Sequence, residues 1–317
     1  MSLRTFAARS LVLTLGLGAA AAGCVQKDND PHEFTRAIPQ AEDVRIKLPE
    51  GSDALRTVGQ IADWYVATRN VTRTLNGGTA WVLIVVHTIV QFPPTSVDGA
   101  TATWGPWSGA LDPAEYRLVV TADDDGSFDW HLDGRSKTVA GAEFESVVIG
   151  DAFPSDPVGR GHGTFTLDFD AAERVNPVDN DGRGVIDVDY DLAARTLAIH
   201  VATVEDRAGS PTAVEYDYAY AEAADGSGDM SFAVHGDTAD AGPAAEEALL
   251  RSRWLATGAG RSDVRLSSGD LADVEVVASE CWDTTFRRVY YTDSVQWQPT
   301  EGDAAACAFA DQDLPQP

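Results

Sequence analysis

From Thr101 onward the chain alternates apolar and polar residues with a period of two, and this pattern limits the folds that it can adopt. The alternation is plainest in six segments: 128–133, 165–170, 186–191, 197–202, 214–220 and 230–235. Successive side chains of a β-strand point to opposite faces, so each segment predicts a strand with one apolar and one solvated face. Short Asp/Gly-rich turn clusters between them predict neighbouring antiparallel strands.

The number of such strands predicts the shape of the sheet. About ten to twelve strands form a sheet too large to stay flat. We therefore expect a mainly β fold, a large antiparallel meander curled into a barrel or half-barrel. The alternating segments are shorter and more acidic than the strands of a transmembrane barrel.

An N-terminal helical hairpin over residues 52–91 is predicted to cover the apolar face of this sheet. Residues 52–75 place apolar side chains at spacings of three and four, as on one face of a helix. Asn76-Gly77-Gly78 has the composition of a helix cap and turn. The run Thr79–Gln91 is apolar and β-branched, which favours a strand, but its length favours a buried second helix.

The first residues have the composition of an export signal. Arg4 and Arg9 precede a short apolar segment, which ends in Ala21-Ala22-Gly23-Cys24. This ending resembles the lipobox of bacterial lipoproteins, with alanine at position 21 where leucine is commoner. The resemblance implies that residues 1–23 are a signal peptide and that Cys24 carries the lipid. Cleavage without lipidation is the alternative.

The resemblance also implies a place for the mature protein. Valine at position 25, rather than aspartate, implies export to the outer membrane. Residues 24–43 are polar, contain two prolines and predict a flexible tether. Residues 44–317 are then expected to form a single β-rich domain that reaches the membrane through its lipid anchor.

Charge and cysteine content constrain the partners and the compartment. The formal net charge is −27, from 50 acidic and 23 basic side chains. Such a chain repels nucleic acid, so no nucleic-acid partner is expected. Cys281 and Cys307 remain after Cys24 is lipidated, and an even pair in an oxidising compartment predicts a disulfide. A metal pair and a reactive thiol are the alternatives.

One acidic cluster raises the possibility of calcium. Asp179, Asp181 and the downstream Asp187 supply hard oxygen ligands around a glycine turn. An EF-hand register would put Pro177 and Val188 at two of the ligand positions, where both fail. The competing interpretation is a hairpin turn, in which Asp-Gly supplies the positive φ. A calcium-stabilised adhesion module is the function that the metal interpretation implies.

Carboxylates on alternating strand positions suggest a second alternative, an envelope glycan hydrolase with paired acid and base groups. The residues are Asp129, His131, Asp168, Asp170, Asp187, Asp189, Glu215 and Asp217. A solvated acidic face explains the same pattern. Since no nucleophile or cofactor motif occurs, no catalytic residue is assigned.

Aromatic residues provide the preferred functional hypothesis. Trp81, Trp130, Tyr216 and Tyr218 are the candidates for lining a pocket that holds an apolar small molecule. The competing interpretation is a core packed by large side chains. The sequence therefore predicts a cell-envelope lipoprotein, a non-enzymatic binding or structural protein that requires no cofactor.

Overall fold

A computed structural model describes residues 34–35, 38, 45–48, 60–155, 160–207, 210–237, 244–271 and 273–314. For residues 77–88, 206–207 and 210 it describes the backbone alone. The predicted signal peptide, Cys24 and most of the tether lie outside the described residues. The side chain of Trp81 also lies outside them.

Fifteen strands dominate the fold and follow one another in sequence order in an antiparallel meander. They are β1 Ser96–Asp98, β2 Thr101–Trp107, β3 Ala114–Ala122, β4 Phe128–Ser136, β5 Glu145–Phe153, β6 His162–Asp168, β7 Val185–Asp191, β8 Thr196–Arg207, β9 Ser210–Glu222, β10 Gly228–Gly236, β11 Glu246–Trp254, β12 Gly260–Ser267, β13 Val276–Trp282, β14 Arg288–Asp293 and β15 Glu301–Gly302. The helices are α1 Asp63–Val90 and α2 Phe169–Val175. The predicted mainly β meander is therefore confirmed.

The predicted barrel is wrong, because the sheet does not close. The first strand pairs with β2 and the last with β14, and within the described part of the chain neither has a second neighbour. Both outer strands are very short, which limits the exposed edge without requiring closure. The degree of curvature implied by a half-barrel stays a prediction.

The helical hairpin is also corrected. Residues 52–59 of the predicted first helix lie outside the described residues. One helix runs from Asp63 to Val90 through the turn predicted at 76–78. Two glycines weaken a helix by about 1 kcal/mol each but do not end it, and the apolar run that follows continues the helix. The prediction that residues 79–90 are helical rather than a strand is confirmed.

The described chain divides into two compact units. Unit 1 contains the described residues of Met1–Arg45 and Gly77–Ala193, and unit 2 contains those of Ile46–Asn76 and Ala194–Pro317. Strands β1–β7 belong to unit 1, and strands β8–β15 belong to unit 2. The single domain expected over residues 44–317 stays a prediction.

In unit 1 the apolar face of the sheet forms the core. The register places one residue from each of five consecutive strands in a single row: Val120, Trp130, Gly150, Phe165 and Val188. All but the glycine are buried apolar side chains. Phe34 packs edge-on against Phe128 at 6.3 Å between ring centroids, which extends this core.

Tryptophan rings lie over glycines of the neighbouring strand at three places. The cross-strand pairs are Trp130 with Gly150, Trp254 with Gly228 and Trp282 with Gly260. A Cβ added at any of these glycines would lie 2.3 to 2.4 Å from a ring carbon. The glycines therefore allow each indole ring to lie flat on the sheet, a cross-strand pairing that stabilises glycine in strands.

Four hairpins share one loop geometry, in 123–127, 223–227, 255–259 and 283–287. In each, the first N–H donates to the fifth carbonyl and the fourth N–H donates to the first carbonyl. The fourth residue has a positive φ, which favours glycine, and three of the four loops have glycine there. In the loop 283–287 that position is Phe286, whose ring stacks on Tyr65 at 4.3 Å. That packing offsets the cost of its left-handed backbone.

In unit 2 the first half of helix α1 packs on the apolar face of the sheet. Thr68 Oγ1 lies 2.5 Å from Ser252 Oγ, which lies 2.6 Å from Ser262 Oγ, and all three side chains are buried. The helix begins on Glu280, whose carboxylate accepts the N–H groups of Asp63 and Trp64 at 3.0 and 2.5 Å. An anion at this position satisfies unpaired helix donors and complements the helix dipole.

Candidate functional site

The candidate site is an arginine face on the side of β11 and β12 opposite helix α1. It consists of Arg251, Arg253 and Arg261. On β11, Ser252 and Trp254 point to the core, so the alternating arginines point to the other side of the sheet. Arg253 lies opposite Arg261 in the register. Two like charges opposite each other destabilise a sheet unless other groups compensate them.

Asp263 is the main compensating group. Its carboxylate is fully buried and accepts hydrogen bonds from Arg261 Nε at 2.8 Å and from Ser279 Oγ at 2.7 Å. Arg253 Nη2 reaches the same carboxylate at 3.3 Å. Arg251 instead donates to Asp229 of β10, from Nε at 3.0 Å and from Nη2 at 2.6 Å. The arginine face therefore combines three cations with one buried anion, Asp263, and one partly exposed anion, Asp229.

The C-terminal strap, residues 307–314, covers this face. Its first residue, Cys307, forms a disulfide with Cys281 of β13, which confirms the predicted pairing. Four further residues contact the face: Phe309, Ala310, Asp311 and Asp313. The backbone N–H of Asp313 also donates to Asp263 at 3.2 Å. The strap thus lies along the arginines in an irregular conformation with most of its residues exposed.

Removal of the disulfide by the double substitution Cys281→Ala and Cys307→Ala is expected to lower the free energy of unfolding by about 3 kcal/mol. The bond closes a loop with a sequence separation of 26 and so restricts the unfolded chain. Chemical denaturation of the variant and of the wild type measures the difference. The wild type in reductant should match the variant, and equal stability with and without reductant would contradict this expectation.

A second polar cluster lies in unit 1 around Asp133. This buried carboxylate accepts from Arg117 Nε at 2.9 Å and from Ser146 Oγ at 2.7 Å, and His131 Nδ1 lies 2.7 Å from it. Ser146 and His131 contact the same oxygen, Oδ1, and not each other. Phe144 lies between two guanidinium groups, 4.2 Å from that of Arg117 and 4.4 Å from that of Arg135.

The Asp133 cluster predicts an acid-sensitive contribution to stability. Burial acts to raise the pKa of Asp133, but the hydrogen bonds from His131, Ser146 and Arg117 outweigh it and lower that pKa to about 2. Because the folded-state pKa lies below the unfolded value of about 4, the contribution is complete above pH 4 and is lost as the pH falls toward 2.

We expect Asp133→Asn to lower the free energy of unfolding by about 2 kcal/mol at pH 7 and by much less at pH 2. Urea denaturation at a series of pH values measures the difference. A loss of the same size at every pH would show that the charge of Asp133 is not responsible.

The predicted metal residues all lie in unit 1, but Asp179 and Asp187 contact different partners. Asp179 accepts from Asn176 Nδ2 at 2.9 Å, and Asp187 accepts from Thr166 Oγ1 at 2.5 Å. Asp181 lies in the connection between α2 and β7, so this segment is not the predicted hairpin turn. Over the described ranges, no three His, Cys, Asp or Glu side chains are grouped as metal ligands. Calcium binding stays a prediction.

The predicted aromatic residues are divided between the units. Trp130 belongs to unit 1 and is buried over Gly150. Tyr216 and Tyr218 belong to unit 2, on the core-facing side of β9. Tyr218 is buried, which raises its pKa. The hydroxyl of Tyr216 donates to Glu205, and its ring stacks on Phe232 at 5.9 Å. Their role in ligand binding stays a prediction.

The carboxylates of the hydrolase alternative are also divided. Glu215 and Asp217 lie in unit 2, and the remaining members of that set lie in unit 1. His200 Nδ1 lies 2.8 Å from Asp217, and Thr164 donates to Asp151 at 2.6 Å. Carboxylates on these strands are therefore contacted by hydroxyl and imidazole groups of the neighbouring strand.

Sequence reasoning missed the arginine face and the strap. The signal lies in the run Arg-Ser-Arg at 251–253, where charges alternate with small residues, and in the acidic segment near the C-terminus. Neither segment shows the apolar alternation used to find strands. Only the register of β11–β13 brings the three arginines and Asp263 together.

The chain matches no protein-family model, no curated protein and no solved structure. Among the described residues, no helix combines the length and the hydropathy that a membrane span requires.

Proposed function

We propose that this protein is an exported, lipid-anchored protein of the bacterial cell envelope with a non-enzymatic binding or structural role. The observation that supports export is the Cys281–Cys307 disulfide, because structural disulfides form and persist in oxidising compartments. This agrees with the signal-like segment that ends at Cys24. The lipid on Cys24 attaches the protein to the outer membrane.

The Asp133 cluster differs from a Ser-His-Asp triad. In such a triad the serine donates to the imidazole, which serves as its base. Here Ser146 donates to Asp133, and His131 contacts the same carboxylate oxygen instead of the serine. The cluster holds neighbouring strands together through cross-strand contacts.

Fractionation of a bacterial host that expresses the full chain tests the proposed anchor. We expect the protein in the outer-membrane fraction, with a diacylated Cys24 detected by mass spectrometry of the N-terminal peptide. Cys24→Ser should be released from the membrane, whereas Cys281→Ala combined with Cys307→Ala should remain attached. A wild-type chain that is recovered unlipidated would refute the anchor.

The finer form of the proposal is that the protein holds an apolar small molecule through aromatic residues of unit 2, Tyr216 and Tyr218. Support comes from the aromatic character of the apolar face in unit 2, where Tyr218 and Phe232 are paired across strands. Native mass spectrometry of the mature protein, purified from a bacterial host, tests this form. A mass released by organic solvent would support it, and a clean apoprotein would count against it.

A further inference from the structure

We propose that the arginine face is a binding surface for an extended acidic segment of a partner protein, and that the C-terminal strap is its resident occupant. The inference rests on the proposed function as a binding protein and names the class of partner. The strap supplies the evidence, because its contacts define the chemistry that the face recognises.

Three hydrogen bonds from the arginines are made to backbone carbonyls of the strap. Arg261 Nη1 donates to the carbonyl oxygens of Phe309 at 3.2 Å and Ala310 at 3.0 Å, and Arg253 Nη2 donates to that of Asp311 at 2.7 Å. Every peptide carries the same carbonyl groups. The face therefore holds an irregular, extended chain without requiring its sequence, and the charged donors make these hydrogen bonds strong.

Two side chains of the strap add selectivity. The carboxylate of Asp313 lies 2.8 Å from Arg251 Nη1 and 3.6 Å from Arg253 Nη1. The ring of Phe309 lies 5.0 Å from the Arg253 guanidinium, within the range of a cation–π contact. The preferred segment therefore carries an aromatic residue followed four positions later by a carboxylate.

The strap is suited to displacement by a partner. It forms no strand ladder with the sheet, and Ala308 and residues 310–313 are exposed, so little apolar area holds it in place. Arg253 Nε is buried and, within the described residues, makes no hydrogen bond, which leaves one donor for a better-fitting segment. Tethering at Cys307 gives the strap an effective concentration of about 1 mM. A partner segment must bind tightly enough to compete with the strap at that concentration.

Fluorescence anisotropy with a labelled peptide of residues 308–314 tests the inference on the purified mature chain. The receptor is a strap-released variant, Phe309→Ala with Asp313→Lys, which keeps the disulfide and all three arginines. We expect this variant to bind the peptide at least tenfold more tightly than the wild type, whose face is occupied. Adding Arg251→Ala should remove the gain, whereas adding Arg195→Ala, outside the face, should preserve it.

A second peptide identifies the partner class. It keeps only the phenylalanine and the aspartate four positions later, and we expect it to compete with the labelled peptide. If this peptide does not compete, the face binds only the sequence of its own strap, and the inference is overturned. Absence of peptide binding by a strap-released variant with an unchanged melting temperature would also overturn it. Both outcomes leave the membrane-anchor test unaffected, since the binding assay uses purified protein without membranes.

Discussion

Glu280→Ala is expected to lower the free energy of unfolding by about 3 to 5 kcal/mol. The Glu280 carboxylate is fully buried and accepts from Arg288 Nε at 2.5 Å as well as from the start of helix α1. Its removal leaves the N–H groups of Asp63 and Trp64 without their acceptor. The buried Arg288 guanidinium loses its closest anion and keeps two half-exposed carboxylates, Asp63 at 2.7 Å and Glu301 at 3.6 Å. Urea denaturation measures the loss.

Two variants separate this buried pair from general effects of losing a carboxylate. Glu215→Ala changes an exposed position of β9 and should cost less than about 0.5 kcal/mol. Glu280→Ala combined with Arg288→Met removes both charges together and should recover part of the loss, because a buried charge that has lost its closest partner costs more than an absent pair. If the single and double variants are equally unstable, Arg288 is not the cause.

Trp130→Ala is expected to cost about 4 kcal/mol, because it removes a buried indole ring whose space the sheet cannot close. The ring packs over Gly150 and lies 6.0 Å from Phe165 between centroids. Trp297→Ala, at an exposed position, is the matched control and should cost little. Thermal and urea denaturation measure both variants.

Gly150→Ala tests the same contact from the other strand. Its Cβ would lie 2.4 Å from a carbon of the Trp130 ring, so the substitution should cost about 2 kcal/mol in the wild type. In a Trp130→Ala background the new methyl group enters the vacated space and should cost much less. Additive losses would show that the ring and the glycine are not coupled.

Much of the sheet could be predicted from alternation, since six strands coincide with the segments in which apolar residues recur at every second position. The prediction failed at Phe169, which continues that pattern but begins helix α2. There the Asp168 side chain accepts the N–H of Ala171, and this local cap ends the strand. The prediction of a turn at Asn76-Gly77-Gly78 also failed, because helix α1 continues through these residues.

The candidate site was harder to predict because its strands break the usual pattern. Ser252, Ser262 and Glu280 are polar, yet they face the core, where they contact helix α1. A search for apolar alternation does not detect such strands. The contacts of Asp263 with Arg253 and Ser279 depend on which strands are neighbours, and composition does not contain that information. The disulfide could be predicted because only two cysteines remain after Cys24.

The order of the strands has a consequence for the speed of folding. Within each unit every strand pairs with the next strand along the chain, and the four matching loops each turn the chain within five residues. Closing a short loop costs little entropy, so each hairpin can form before its neighbours are in place. A sheet of this size built from distant segments would fold slowly. In this chain, each completed hairpin offers a template on which the next strand can add.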